Sequence, residues 1–90
     1  MPRYLVEREF PAGLTIPLDD AGASACCTVV DANARHGVTW VHSYVTPDRT
    51  QTFCIYDGPS EGAIRDAAKD TELPVSRVTE VRVLNPYFYR

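Results

Sequence analysis

A histidine and a cysteine on neighbouring extended runs are the first residues in this sequence with chemistry in them. His42 lies in Gly-Val-Thr-Trp-Val-His-Ser-Tyr-Val and Cys54 in Thr-Phe-Cys-Ile-Tyr-Asp, with Pro47-Asp48 between the two runs. A cysteine and a histidine within reach of each other can act as nucleophile and base, or as two ligands of one metal ion. Trp40, Tyr44 and Tyr56 share their parity, and such rings can wall a pocket for a planar ligand or fill the centre of an interface. Arg8, Glu80 and Arg82 add charge from other extended runs, either as cross-strand ion pairs or as a grip on an anionic ligand. For His42 and Cys54 the plainer account is a half-buried thiol and an imidazole satisfied by Tyr, Glu80 or a backbone carbonyl. No third, orienting carboxylate stands at a motif spacing, and no glycine-rich oxyanion turn is present. His36, just before Gly37, reads as a charge partner for a helix C-terminus. Cys26 and Cys27 are adjacent, and adjacent helical side chains diverge, so they read as small hydrophobes and not as a redox pair.

The elements that must position these residues follow from periodicity. Residues 37–57 alternate on both sides of Pro47-Asp48 and are rich in Val, Ile, Thr and aromatics, the pattern of a β-hairpin. Pairing odd with odd positions puts Val41, Val45, Phe53 and Ile55 on a core face, and leaves Trp40, His42, Tyr44, Cys54 and Tyr56 on the other. Residues 3–10 read as a strand closed by Pro11 and Gly13, whose facing the pattern leaves open because Arg8 sits among Tyr4, Val6 and Phe10. Thr15 is placed to cap a helix, with Pro17, Asp19 and Asp20 in its first turn and Gly37 as its stop. Leu14, Leu18, Ala21, Ala25, Thr28, Val29 and Ala32 form its apolar stripe. A second helix starts at Ser60-Glu61, carries Ile64, Ala67, Ala68 and Thr71 inward, and must end before Pro74. Residues 77–84 alternate as a last strand, and 86–90 form an aromatic tail expected to pack on its own sheet or on a partner.

The order βαββαβ within 90 residues predicts an α+β, ferredoxin-like fold: one domain, a four-stranded antiparallel sheet in the order 4-1-3-2, and both helices on one face. The face left bare would gather Arg8, Trp40, His42, Tyr44, Cys54, Tyr56 and Glu80 into one neighbourhood, the expected ligand-binding set. So small a domain with an uncovered sheet face calls for self-association, through that face or through the edge strand at 37–45. A net charge of -3 with scattered Lys and Arg gives no electrostatic reason for nucleic acid or an anionic membrane. Three cysteines without zinc spacing imply reduced thiols, and no leader-like or 18-residue apolar run is present, so a cytoplasmic location is expected.

Several stretches together resemble a known family: the opening Tyr-Leu-Val-Glu-Arg, the central Gly-Val-Thr-Trp, Thr-Phe-Cys-Ile-Tyr followed by Pro59-Ser60, and Val-Thr-Glu-Val-Arg-Val-Leu with Pro-Tyr-Phe. They are similar to the small bacterial nickel-binding-protein-like ferredoxin-fold family, over essentially the whole chain. That resemblance implies a ferredoxin-like fold, dimerisation and, for some members, nickel. Nickel-binding members carry Asp-x-His in the first strand and histidines along the second helix. The corresponding positions here are Val6, Arg8, Ala67 and Thr71, none of which ligates nickel. Cys54, Glu80 and His42 are what remains of a ligand set, so nickel is disfavoured.

The expectation is therefore a dimeric, non-catalytic module that binds a small, anionic ligand on its open face. Two other classes stand beside it: a nickel-binding protein with a reduced ligand set, and a small dimeric α+β barrel enzyme with His42 as base.

Overall fold

Strand β1, Arg3–Glu9, alternates buried with half-buried side chains, and that alternation decides which way the whole sheet faces. Tyr4, Val6 and Arg8 turn to one side; Leu5, Glu7 and Glu9 turn to the other. The computed structural model describes residues 2–14 and 20–87. Its further elements are α1 (Asp20–Arg35), β2 (Thr39–Val45), β3 (Gln51–Asp57), α2 (Glu61–Thr71) and β4 (Arg77–Val81). The strands form one antiparallel sheet in the order β2-β3-β1-β4, the topology expected of a ferredoxin-like chain.

Register carries the facing of β1 to its neighbours, because residues opposite one another share a face. Val6 lies opposite Cys54 and Val78, and Tyr4 opposite Tyr56. The core therefore consists of Tyr4, Val6, Cys54, Tyr56 and Val78 from the sheet, with Val38, Ile64 and Ala67. Fully burying a side chain such as Val6, at 0% exposure, contributes about 1.5–3 kcal/mol. This resolves β1 and reverses the expected facing of the hairpin: Cys54 and Tyr56 lie inside, whereas Phe53 and Ile55 are half-buried on the bare side. The physical reason is the helix layer. Its inner residues from α2 are Ile64, Ala67 and Ala68, mostly too small to fill the gap, and the two tyrosines supply the volume.

The hairpin register also differs from the odd-with-odd expectation. Val45 pairs with Thr52, Tyr44 with Phe53, Ser43 with Cys54 and His42 with Ile55. The register then shifts, Trp40 pairs with Tyr56, and Val41 is the extra residue of a β-bulge. A bulge inverts the facing beyond it, so Trp40 packs against the core while His42 and Tyr44 turn to the bare side. The turn itself is held by Asp48, whose carboxylate accepts from the Thr46 hydroxyl at 2.7 Å, the Thr50 hydroxyl at 2.7 Å and the Thr50 N–H at 3.0 Å. Arg49 takes the left-handed conformation there, with φ 62°.

Helix α2 follows its sequence closely. The Ser60 hydroxyl accepts from the Ala63 N–H at 3.2 Å, a cap that contributes about 1 kcal/mol. Glu72 ends the helix with φ 57°, two residues before Pro74. The inner face of α1 is turned by about one residue from the expected stripe. Gly22, Ala32 and Asn33 are buried, and Cys26, Val29 and His36 are half-buried, whereas Ala25 and Thr28 are exposed. The expected cap at Thr15 and the stripe residue Leu18 lie outside the described residues. Strand β4 stops at Val81, short of the expected residue 84, because its partner β1 begins at Arg3 opposite Val81. Leu84, expected in that strand, is 72% exposed, and Tyr87 of the tail is 85% exposed and does not pack on its own sheet; residues 88–90 lie outside the described set.

Candidate functional site

The seven residues expected to share one face do not. Arg8, Trp40, Cys54 and Tyr56 stand on the helix-covered side, His42 and Tyr44 on the bare side, and Glu80 is exposed on the edge strand. Two facts of strand geometry separate them: the even positions of β1 and β3 face the helices, and the bulge at Val41 turns His42 away from Trp40. His42 and Cys54 are consequently on opposite faces, which removes the nucleophile–base and paired-ligand readings. His42 instead sets its ring edge-on to Tyr44, with centroids 5.2 Å apart. The Cys54 thiol is buried and donates to the Thr52 hydroxyl at 3.6 Å.

The covered side holds an unusual polar group. Arg8 is 4% exposed, and its guanidinium donates from Nη1 to the Pro74 carbonyl at 3.0 Å and from Nη2 to the Tyr56 hydroxyl at 3.3 Å. The guanidinium carbon also sits 5.9 Å from the centre of the Tyr56 ring, a cation–π distance. No carboxylate pairs with Arg8 among the described residues. Glu80 is opposite Tyr4, four residues and about 13 Å along β1 from Arg8. Burial pushes the Tyr56 phenol above its ordinary pKa, opposed by Arg8 and by the Asn33 amide. Asn33 is 3% exposed, and its side chain is near enough to act on the Tyr56 oxygen, yet its Nδ2 completes no hydrogen bond among the described residues. Sequence reading missed Asn33. Its signal was there: it falls four residues after Val29 and seven after Cys26, on the inner face of α1.

The bare side is apolar at its centre and ionic at its rim. Leu5, Phe53, Ile55 and Val81 are half-buried, and Tyr44 is 63% exposed. Arg3 grips Asp57 with two hydrogen bonds of 2.7 and 3.0 Å, and that guanidinium holds the Asp57 carboxyl below the usual carboxylate range. Glu7 and Arg77 approach to 4.0 Å. Between the ends of the strands a recess of about 220 Å³ is lined by Glu7, Glu9, Gln51, Phe53 and Arg77 among others. Arg82 lies beyond the end of β4 and is exposed. His36 is not only a charge at a helix end: its Nε2 is 2.6 Å from Asp70 Oδ2, joining α1 to α2.

The donors fit a nickel ion poorly. Among the described residues no three His, Cys, Asp or Glu side chains come together. The four positions where the resemblance implies ligands line the space between β1 and α2: Val6 and Ala67 belong to the core, Arg8 is the next inward residue of β1, and the Thr71 hydroxyl donates back to the Ala67 and Ala68 carbonyls. No helix of the described residues is long and apolar enough to cross a membrane.

Comparison with known proteins agrees with this fold. The crystal structure of SCO4226 from Streptomyces coelicolor A3(2) superposes with a TM-score of 0.72 at 14% sequence identity, covering 92% of this chain and 99% of that one. Among curated proteins no match is found. A family model described as nickel responsive protein SCO4226-like matches residues 4–81, and the chain therefore belongs to that family.

Proposed function

We propose that the protein is a self-associating, non-catalytic module that binds a small ligand, with two copies meeting through the bare sheet face. The observation that carries this is the face itself. Leu5, Phe53, Ile55, Val81 and the largely exposed Tyr44 make a contiguous apolar centre on a chain of only 90 residues. Its rim holds both signs of charge, Arg3 with Asp57 and Arg77 with Glu7, so the same surface on a second copy can meet it without like charges being forced together. Catalysis finds little support, since His42 and Cys54 stand on opposite faces.

The experiment is sedimentation at micromolar concentration. Wild-type protein should sediment as a dimer, and Ile55→Asp as a folded monomer; a monomeric wild type sinks the reading. The family's description names a nickel response, but this chain's donor set gives such an ion no three-ligand site among the described residues. Nickel added in equimolar amount should pass through gel filtration without staying on the protein. Stoichiometric retention, lost in His42→Ala, would restore the metal reading.

A further inference from the structure

We propose that Arg8, Asn33 and Tyr56 form a buried site for a small carboxylate between the sheet and α1. This rests on the ligand-binding reading above and gives that ligand a place and a chemical class. Arg8 and Asn33 both reach the Tyr56 hydroxyl, so three donors stand together there. The Arg8 guanidinium has five N–H groups, of which one goes to Pro74 and one to the Tyr56 oxygen. Asn33 Nδ2 completes no hydrogen bond among the described residues although its residue is only 3% exposed. The Tyr56 hydroxyl accepts from Arg8, which leaves its own proton to be donated.

What this group lacks among the described residues is an acceptor with negative charge. A buried cation is strongly disfavoured unless it is paired. The obvious partners are elsewhere: Glu7 and Glu9 face the other side of the sheet, Glu80 is opposite Tyr4, and Asp70 is held by His36. Tyr56 does not supply the charge either, because burial favours its neutral form, which is a donor. A carboxylate answers each deficit. Its two oxygens match the guanidinium fork side by side, and their remaining lone pairs can take the Tyr56 and Asn33 protons. It also carries one negative charge against one positive, whereas a phosphate dianion would leave a net charge buried.

The test is thermal unfolding of the whole chain in sodium acetate or sodium benzoate against sodium chloride at equal ionic strength. Wild type should show a saturable rise in Tm, roughly 5–10 °C at ten times the dissociation constant. Asn33→Asp supplies the acceptor from within, so its Tm without added salt should exceed that of wild type and its response to carboxylates should vanish. Arg8→Met, which replaces the buried charge by an apolar chain of similar length, should also lose the response. No saturable rise in wild type, or a rise that survives in Arg8→Met, overturns the site. A small molecule that co-purifies in native mass spectrometry equally with wild type and with Arg8→Met would leave the ligand-binding reading standing and sink the carboxylate site. A wild type that carries nothing and responds to neither salt sinks both.

Discussion

On its covered side the sheet presents Tyr4, Val6, Arg8, Thr52, Cys54, Tyr56 and Val78; on its bare side it presents Leu5, Phe53, Ile55 and Val81. By hydrophobicity alone the two faces look exchanged, since the side with the guanidinium and the phenols is the one the helices cover. What decides between them is volume and hydrogen bonding rather than aliphatic content. A helix layer built largely on Ala leaves a deep gap, which tyrosines fill, and their polar ends can be satisfied only by other polar groups such as Arg8.

The contrast can be broken at matched positions. Ile64→Ala removes volume from the fully covered core and should cost about 2–5 kcal/mol in urea unfolding. Ile55→Ala, on the bare side, should cost about 0.5–1 kcal/mol at high dilution, because the side chain is only half-buried in one copy. That second cost should grow with protein concentration if two copies cover the face. Equal costs at every concentration would mean that the two faces are equally interior.

The smallest effects are electrostatic and again come one from each side. Asp57 beside Arg3 belongs to the bare face, and Asp70 beside His36 belongs to the helices. Hydrogen bonds from those partners hold both carboxyls below their ordinary pKa. A depressed carboxyl stabilises the fold above its unfolded value of about 3.9 and loses that contribution as the pH falls below it. Asp57→Asn and Asp70→Asn should therefore each lower the urea midpoint slightly at neutral pH and leave it close to wild type in strong acid, which flattens the acid limb of stability against pH. Acid limbs that overlay wild type would show these ion pairs to be idle.

Much of this was legible in the residues. Ser60 and Pro74 bound α2 as a cap and a stop should, and the spacing of the six elements gave the ferredoxin-like order. The facing of the hairpin was not legible, for two reasons. Tyr56 and Cys54 carry polar tips and Phe53 and Ile55 do not, so alternation alone pointed the wrong pair inward. The bulge at Val41 leaves no mark either, because one extra residue in a run of Val, Trp, His and Tyr keeps its alternating look. For the same reason the expected site was drawn as one cluster, when β-strand parity and that single residue divide it. Asn33 escaped because a lone amide near the end of a helix resembles a surface residue until the helix is rotated onto its true inner face.

The bulge has a further effect on how copies of this chain can meet. β2 is the outer strand of the sheet, and an outer strand with a regular row of free N–H and C=O groups is a template onto which another chain can add without limit. Val41 interrupts that row near its middle and kinks it, so the spacing of donors and acceptors no longer matches a straight incoming strand. Runaway lateral addition into fibrils is thereby discouraged along this border.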